Sequence, residues 1–221
     1  MLAKQALNTD IEPLGAQDTI LEGKRLMNEL EVSTLPVVDK TTNKLRGQVS
    51  LSQLDASEDD DKISDLELEE AVKIYLEQHI FEAARLMLQH EMRFIPVVDN
   101  ELTFQGYLGK LKVLETLTHM LNIPEAGSVI TVELKQRDFT LSEIVHLIET
   151  EGAKILGVTV EMPEIRKGIY EVSLKLNLQE ISRVAATLRR HDYTVLTDSS
   201  NEVYSVDVES RADELIKYLD M

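Results

Sequence analysis

Apolar residues recur at helical spacing in two stretches of the first half of the chain. The i, i+3, i+4, i+7 pattern runs from Ile80 to Met87, and a weaker form of it runs from Ile20 to Met27. Each pattern predicts an amphipathic helix. Each helix has to end before the LPVVD or IPVVD motif that follows, because the residue before a proline disfavours helical geometry. A short β-branched strand then begins at the proline of each motif, since proline is tolerated at the first position of a strand.

The order of the elements is the same in both stretches. After the proline motif a second strand opens at a glycine, Gly47 or Gly106, and another helix follows. With a shift of sixty residues, Ile20–Asp39 and Ile80–Asp99 are identical at ten of twenty positions. Chance would supply about one or two identities at ordinary composition. The chain therefore builds one small α/β unit twice, and a cleft between related halves is a natural place for a small molecule.

The second half of the chain has a different pattern of alternating strands and amphipathic helices. Thr140 with Glu143, and Asn177 with Glu180, are spaced as signals for the start of a helix. The predicted elements, in order, are a strand at 130–134, a helix at 141–148, strands at 156–160 and 170–176, a helix at 181–188 and a strand at 195–196. This order is βαββαβ, the ferredoxin-like arrangement. A last amphipathic helix is predicted from Ser210 onwards.

Composition narrows the range of functions. The 221 residues contain no cysteine, which excludes disulfides, cysteine-based zinc sites and thiol nucleophiles and is consistent with a cytoplasmic protein. No apolar run reaches the roughly 18 residues of a membrane span. No membrane is therefore expected as a partner. The net charge of −17 repels phosphate backbones, so nucleic acid is not expected as a partner either. The acidic run Asp55–Asp61 lacks the spaced ligands of a calcium loop and is interpreted as a solvated, mobile linker.

The doubled proline motif, with its preceding helix and following glycine strand, resembles the cystathionine β-synthase (CBS) domain. Two such domains in tandem resemble a CBS pair, or Bateman module, over roughly residues 1–122. The βαββαβ half resembles an ACT domain, and the whole layout is similar to AcuB-type acetoin-utilisation proteins. The resemblance implies an α/β (α+β) fold with CBS domains at 1–60 and 61–123, an ACT-like domain at 128–201 and a C-terminal strand and helix extension at 202–221.

The CBS resemblance implies a nucleotide site. CBS domains that hold a ribose use a glycine strand followed by Ser or Thr and, three residues later, Asp. In the first repeat Gln53 replaces this acid, and in the second repeat Gly109 and Lys112 replace both groups. Lys112 is a candidate contact to an anionic group or, alternatively, a solvated helix lysine. The implied site in the first cleft comprises Ile11, Thr34, Leu35, Pro36, Val37, Ser50 and Gln53, and Lys112 is the candidate cation of the second repeat.

The ACT resemblance implies a second ligand loop, between the first strand and first helix of that domain. The loop of the family carries Asp-x-Pro-Gly, whereas here Phe139 stands at the glycine position. The ring would obstruct the usual approach of a ligand or fill the pocket itself. Arg137 and Asp138 are candidate contacts for a zwitterion, and a charged turn is the alternative interpretation.

The leading hypothesis is a non-catalytic regulatory or ligand-sensing protein with no required cofactor. AMP, ATP or S-adenosylmethionine are the candidate ligands, and the resemblance implies a homodimer. The alternative is a structural or interaction protein with vestigial clefts. An acid/base enzyme is a third hypothesis, but the motifs of P-loop and dinucleotide-binding enzymes are absent. The histidines have no metal-ligand spacing, so neither catalytic nor metal residues are predicted.

Overall fold

The computed structural model describes residues 1–162 and 168–198. The described chain is mixed α/β, as the sequence predicts, and forms two compact units, Met1–Leu117 and a second that begins at Thr118. The side chains of Asp138, Thr197 and Asp198 lie outside the description. So do residues 202–221, which include the helix predicted from Ser210.

The first unit contains the same five elements twice. The first repeat consists of β1 (Leu14–Gly15), α1 (Ile20–Leu30), β2 (Thr34–Asp39), β3 (Lys44–Ser50) and α2 (Leu51–Asp55). The second repeat consists of β4 (Ile74–Tyr75), α3 (Ile80–Gln89), β5 (Phe94–Val98), β6 (Phe104–Gly109) and α4 (Lys110–Met120), whose last three residues belong to the second unit. Each repeat forms a three-stranded sheet whose central strand is parallel to one neighbour and antiparallel to the other. Leu14 pairs with Val37 and Ile74 pairs with Val97, so the duplicated fold is confirmed at a shift of sixty residues.

The strands of both repeats begin earlier than predicted: β5 begins at Phe94, before its proline, and β3 and β6 begin at Lys44 and Phe104, before their glycines. The strand β2 begins at Thr34, which places Pro36 inside the central strand instead of at its start. The reason is the length of β1, which pairs only with Val37 and Val38. Because no residue of β1 lies opposite Pro36, the missing N–H of the proline leaves no strand partner unsatisfied.

Each repeat is completed by a segment that precedes the other repeat. The N-terminal arm, residues 1–9, pairs with the second repeat, and the linker arm, residues 61–69, pairs with the first. In each arm a 3₁₀ turn makes the contact, Ala3–Gln5 or Ile63–Asp65, and its leading side chain is fully buried. These turns also lie sixty residues apart, so the exchange of arms is part of the repeat.

The exchanged arms explain the glycine in each second strand. A Cβ at Gly47 would lie 2.6 Å from the carbonyl oxygen of Glu69, and a Cβ at Gly106 would lie 2.7 Å from that of Asn8. Both distances are too short for a side chain, so only glycine lets the arm cross the strand. Each of these arm residues also exchanges two backbone hydrogen bonds of 2.7–3.0 Å with the strand residue after the glycine.

The acidic run between the repeats makes specific contacts that the sequence does not predict. The backbone N–H of Leu21 donates to the carbonyl of Asp59 at 3.1 Å, and Lys24 Nζ lies 2.7 Å from Asp59 Oδ1. The run therefore packs against the start of α1, where its backbone carbonyls satisfy the free N–H groups of Ile20 and Leu21. Within the described ranges, no group of three or more acidic or histidine side chains could hold a metal ion.

The second unit has the predicted βαββαβ order. Its elements are β7 (Ser128–Lys135), α5 (Ser142–Thr150), β8 (Ile155–Glu161), β9 (Ile169–Leu176), α6 (Ser182–Arg190) and β10 (Thr194–Asp198). The sheet order is β10-β7-β9-β8 and all of its pairs are antiparallel. Alternate strand residues pack with the apolar faces of both helices in one core.

The predicted starts of both helices in this unit were wrong. The helix α5 begins at Ser142, and the hydroxyl of Thr140 lies 3.0 Å from the Ser142 hydroxyl without capping the helix. The helix α6 begins at Ser182. Asn177 does not cap it, because its side chain accepts a hydrogen bond of 2.7 Å from the backbone N–H of Lys154, in the turn before β8. The side chain of Asn177, which was predicted to cap a helix, therefore forms a hydrogen bond with a loop instead.

Candidate ligand site between the two repeats

The two repeats meet through a shared apolar core. Its buried members are Val38, Leu45, Ala71, Val98, Phe104 and Tyr107, and the partly buried Ile11, Tyr75 and Phe94 pack against them. The two hairpins also join, since the N–H of Leu45 donates to the Leu102 carbonyl at 2.9 Å and the N–H of Phe104 donates to the Asn43 carbonyl at 2.8 Å. The repeats thus form one body. We call the position of the Thr34–Ser50 pair the first cleft and that of the Phe94–Gly109 pair the second cleft, because these are the places where the sequence predicts a ligand.

The cleft of the first repeat is polar. Thr34 lies opposite Ser50 in the β2–β3 pair, and Ser50 is the N-cap of α2. The backbone N–H of Ser50 donates to Gln53 Oε1 at 2.8 Å, and the amide of Gln53 donates to the Glu67 carbonyl at 2.9 Å. Ser50 and Gln53 therefore form a capping box that is tied to the linker arm.

The cleft of the second repeat is filled by an aromatic ring. Phe94 occupies the position that corresponds to Thr34, and a Cβ at Gly109 would lie 3.3 Å from its Cε1. The same ring packs edge-on against Tyr107, with centroids 6.4 Å apart. Lys112 lies on the exposed side of α4, with its Nζ 3.4 Å from Glu115 Oε2. The second cleft offers a ring where the first offers a hydroxyl.

Between the clefts lies a small cavity, the inter-repeat pocket, of about 150 Å³. It is lined by the loops that precede β2 and β5, and it includes Ser33 and Thr34 on one side and His90, Arg93 and Phe94 on the other. Arg93 forms an ion pair with Glu31, which also lines the pocket. The backbone N–H of Leu51 donates to the Ser33 carbonyl at 2.8 Å, which places the start of α2 beside this pocket.

The other residues predicted for the first cleft have different surroundings. Ile11 packs on the shared core and lines a separate acidic depression of about 310 Å³ on the first repeat. The side chains of Leu35 and Val37 belong to the core of the first repeat, and Pro36 is also buried. These three residues can therefore offer a ligand only backbone groups. Of the predicted set, the described contacts bring together Thr34, Ser50 and Gln53.

The aspartates that end the two proline motifs have structural roles. Asp39 accepts hydrogen bonds from Arg46 Nη2 at 2.6 Å and from two backbone N–H groups of the hairpin turn. The Arg46 hydrogen bond is the main cause that lowers the pKa of Asp39. The pKa of Asp99 is also lowered, chiefly by the backbone N–H of Thr103. Both carboxylates stabilise hairpins and lie outside the inter-repeat pocket lining.

Tyr107 is the polar exception in the shared core. Its side chain is 1% exposed, and its hydroxyl makes no hydrogen bond among the described residues. Burial raises the pKa of this phenol far above its usual range. In the first repeat Gln48 stands at the same place, and its Oε1 accepts a hydrogen bond of 3.1 Å from the backbone N–H of Val72. The two repeats thus differ in a buried polar group as well as in their clefts.

The predicted ligand loop of the second unit is a 3₁₀ turn, Gln136–Asp138, followed by Phe139. The Phe139 ring contacts Tyr170 edge-on with centroids 4.9 Å apart, and Phe139 remains 39% exposed. Arg137 is exposed, and the Asp138 side chain lies outside the described residues. The ring of Phe139 therefore packs on its own unit.

Sequence reasoning missed Arg93 and Phe94 as site residues. Their counterparts in the first repeat are Ser33 and Thr34. Both pairs of residues differ between the repeats, although the PVVD motif that begins two residues later is identical. Differences inside an otherwise repeated motif were the available signal, because the shared backbone leaves only the side chains to distinguish two clefts.

Comparison with known proteins supports the repeat assignment in part. Residues 63–119 match the family model of the CBS domain, and CBS domains are regulatory ligand-sensing modules. No curated protein matches the chain. Within the described residues, no helix combines the length and apolar character needed to cross a membrane.

Solved structures with similar folds cover about half of this chain. One is a CBS domain pair/ACT domain protein from Thermotoga maritima, with 24% identity and a TM-score of 0.49 over 55% of this chain and 99% of that chain. A second comprises the CBS domains of a transcriptional regulator from Streptococcus pneumoniae, with 17% identity and a TM-score of 0.45 over 52% and 98%. A third is CBSX2 in complex with AMP, with 21% identity and a TM-score of 0.44 over 53% and 96%.

Proposed function

We propose that this protein is a non-catalytic sensor whose paired repeats bind one adenine nucleotide, AMP or ATP, at the first repeat. The observation that carries the proposal is the difference between two clefts on one backbone. Thr34, Ser50 and Gln53 supply hydroxyl and amide groups in the first cleft, whereas Phe94 covers Gly109 in the second. Ligand binding then shifts an equilibrium between two states of the pair, as any sensor requires.

The chemistry of the first cleft suits a nucleotide without a ribose carboxylate. The hydroxyls of Thr34 and Ser50 and the amide of Gln53 make neutral hydrogen bonds with ribose oxygens, which are weaker than those of a carboxylate. Arg93 lines the adjoining pocket and supplies a cation for phosphate, where a charge-assisted bond is stronger. The Phe94 ring gives an aromatic wall for the base.

The inter-repeat pocket is too small to enclose a whole nucleotide while the Glu31–Arg93 ion pair is intact. Its volume of about 150 Å³ is below the 300 Å³ or more of pockets that enclose drug-sized ligands. A phosphate that binds Arg93 has to displace the carboxylate of Glu31. The Glu31–Arg93 pair is therefore proposed as the contact that the nucleotide replaces, and its loss is the local change that ligand binding produces.

For the second unit we propose an ACT-like regulatory domain at 128–201, which follows CBS domains at 1–60 and 61–123 in an AcuB-type layout. The support is the βαββαβ order of the elements and the order of the strands across the sheet, in which the fourth strand of the unit lies beside the first, followed by the third and the second. A homodimer, a small-molecule effector for this domain and a cytoplasmic location are further parts of the proposal. The absence of nucleic-acid partners rests on the net charge of −17.

The proposal is tested by titrating the full chain with AMP, ATP and S-adenosylmethionine in a calorimeter. Ser50→Ala removes the hydroxyl and is expected to weaken nucleotide binding about fivefold, whereas Ser50→Thr keeps both hydroxyl and cap and is expected to bind as the wild type does. Equal binding by Ser50→Ala would place the ligand elsewhere. No binding of any of the three ligands would favour a vestigial cleft.

The role of Glu31 has its own matched control. Glu31→Gln removes the competing carboxylate and is expected to tighten nucleotide binding about threefold, because an exposed ion pair contributes less than about 1 kcal/mol. Glu91→Gln makes the same substitution at the equivalent position of the second repeat, where the residue lines the same pocket. An equal gain in both variants would indicate general charge repulsion instead of displacement.

A further inference from the structure

The second unit has a pocket on the sheet face opposite its helices. On β7 and β9, buried residues alternate with half-buried ones, and the core residues pack with α5 and α6. Val129, Ser173 and Lys175 belong to the alternate set and therefore lie on the other face. Together with Gly157 and Thr159 of β8, they line a cavity of about 210 Å³.

The wall of this pocket is built by the segment that follows α4. Leu121 and Ile123 line the cavity, and Asn122 between them donates from Nδ2 to the Leu156 carbonyl at 2.7 Å. A Cβ at Gly157 would lie 3.0 Å from the carbonyl oxygen of Leu121, so the glycine lets the segment approach β8 closely. The segment is therefore held over the sheet by specific contacts, and the pocket is a formed feature of the unit.

The pocket combines an apolar interior with one cation. Leu121, Ile123 and Val129 supply the apolar surface, while the half-buried Lys175 lines the same cavity. The Nζ of Lys175 donates to the Gly127 carbonyl at a long 3.4 Å, and in the described part of the chain it ion-pairs with no carboxylate. The ammonium group of Lys175 is therefore the one cationic group among the described residues that line this pocket.

We propose that this pocket binds a small amphipathic carboxylic acid. The apolar body contacts Leu121, Ile123 and Val129, and the carboxylate receives a charge-assisted hydrogen bond from Lys175. The hydroxyls of Thr159 and Ser173 are the other polar groups in the lining. A volume of about 210 Å³ is below that of drug-sized pockets, which restricts the ligand to the size of a small metabolite. This site does not depend on nucleotide binding by the repeats.

The test compares hexanoate with 1-hexanol, which has the same chain but no charge, by calorimetric titration of the full protein. Hexanoate is expected to bind saturably and about tenfold more tightly than 1-hexanol, as a charged hydrogen bond predicts. Lys175→Met keeps the apolar stem and is expected to remove that advantage. Lys154→Met removes an exposed lysine of the same unit and is expected to change hexanoate affinity less than twofold.

A second variant tests the position of the ligand independently of charge. Ser173→Leu places a branched side chain in the cavity and is expected to abolish the binding of both hexanoate and 1-hexanol. The proposal is overturned if wild type shows no saturable binding of hexanoate, if Lys175→Met and Lys154→Met weaken it equally, or if Ser173→Leu binds normally. Circular dichroism of each variant shows whether the sheet is intact.

Discussion

The two repeats of the first unit share one backbone fold but differ in the side chains at equivalent positions. Strand register, bulge position and exchanged arm are repeated at a shift of about sixty residues. At equivalent places, however, the first repeat has Thr34 and Gln48 where the second has Phe94 and Tyr107. Duplication fixed the packing that both copies need, while the cleft positions changed freely. Two repeats can therefore share one fold and still present different side chains at equivalent positions.

The largest expected effect is on the exchanged arms that both repeats require. Ile63 is fully buried in the first repeat's core, so Ile63→Ala is expected to lower the free energy of unfolding by about 2–5 kcal/mol. Leu111→Ala, at a leucine that is 68% exposed, is expected to change it by less than about 0.5 kcal/mol. Urea titrations measure both. Equal midpoints for the two variants would show that the linker arm does not contribute to the core.

Tyr107 is found only in the second repeat, and its substitution is expected to increase the free energy of unfolding instead of lowering it. Its buried hydroxyl lacks a partner among the described residues, so Tyr107→Phe is expected to raise the free energy of unfolding by about 1 kcal/mol. Tyr193→Phe is the matched control, because that hydroxyl donates to Glu143 Oε2 at 2.9 Å and its loss is expected to be destabilising. A destabilised Tyr107→Phe would mean that the hydroxyl does have a partner.

The fold could be predicted from the sequence where a pattern was long or repeated. The identities between Ile20–Asp39 and Ile80–Asp99 located both helices and both sheets. The exchange of arms was missed, because Ala3–Gln5 is too short to show a period and its partner Gln78 is distant in sequence. Contacts of that kind arise only when the whole unit packs.

The site was harder to predict than the fold. Ser50 and Gln53 were predicted as ribose contacts from a resemblance alone. The same spacing also fits a capping box, and the structure has the capping box. The sequence around Arg93 does not mark it as a site residue. Arg93 becomes one only because the loop before β2 of the other repeat lies beside it and completes the pocket. Local sequence therefore gave the candidate residues, and tertiary contacts decided which of them meet.

The hairpin aspartates predict a difference in acid sensitivity. Because folding lowers the pKa of Asp39 below the unfolded value of about 3.9, its stabilising contribution is present above that pH and is lost as the pH falls through the folded pKa. Asp39 depends first on Arg46, whereas Asp99 depends first on a backbone N–H group. Arg46→Gln is therefore expected to reduce the loss of stability between pH 7 and pH 3.

The control for this prediction is the equivalent residue of the second repeat. Gln105 donates to Asp99 Oδ2 at a long 3.3 Å, so Gln105→Ala is expected to leave the pH dependence close to that of wild type. Urea midpoints at the two pH values measure both variants. An equal change in the two variants would remove the distinction between the hairpins.

The smallest gain in stability is expected in the hairpin turns. Asn43 and Leu102 both have left-handed backbones, with φ of 54° and 62°, but only asparagine tolerates this region well. Leu102→Asn is expected to raise the free energy of unfolding by up to about 1 kcal/mol. The reciprocal Asn43→Leu is expected to lower it by more than that, because Asn43 Nδ2 also donates to the Phe104 carbonyl at 2.7 Å. Thermal melts that move in the same direction for both variants would contradict this reasoning.

The most direct measurement is the number of AMP molecules that one wild-type chain binds, obtained by isothermal titration calorimetry. A polar first cleft and a ring-filled second cleft predict one molecule per chain. Two equivalent molecules per chain would contradict the claim that Phe94 closes the second cleft, and none would contradict the proposed sensor itself.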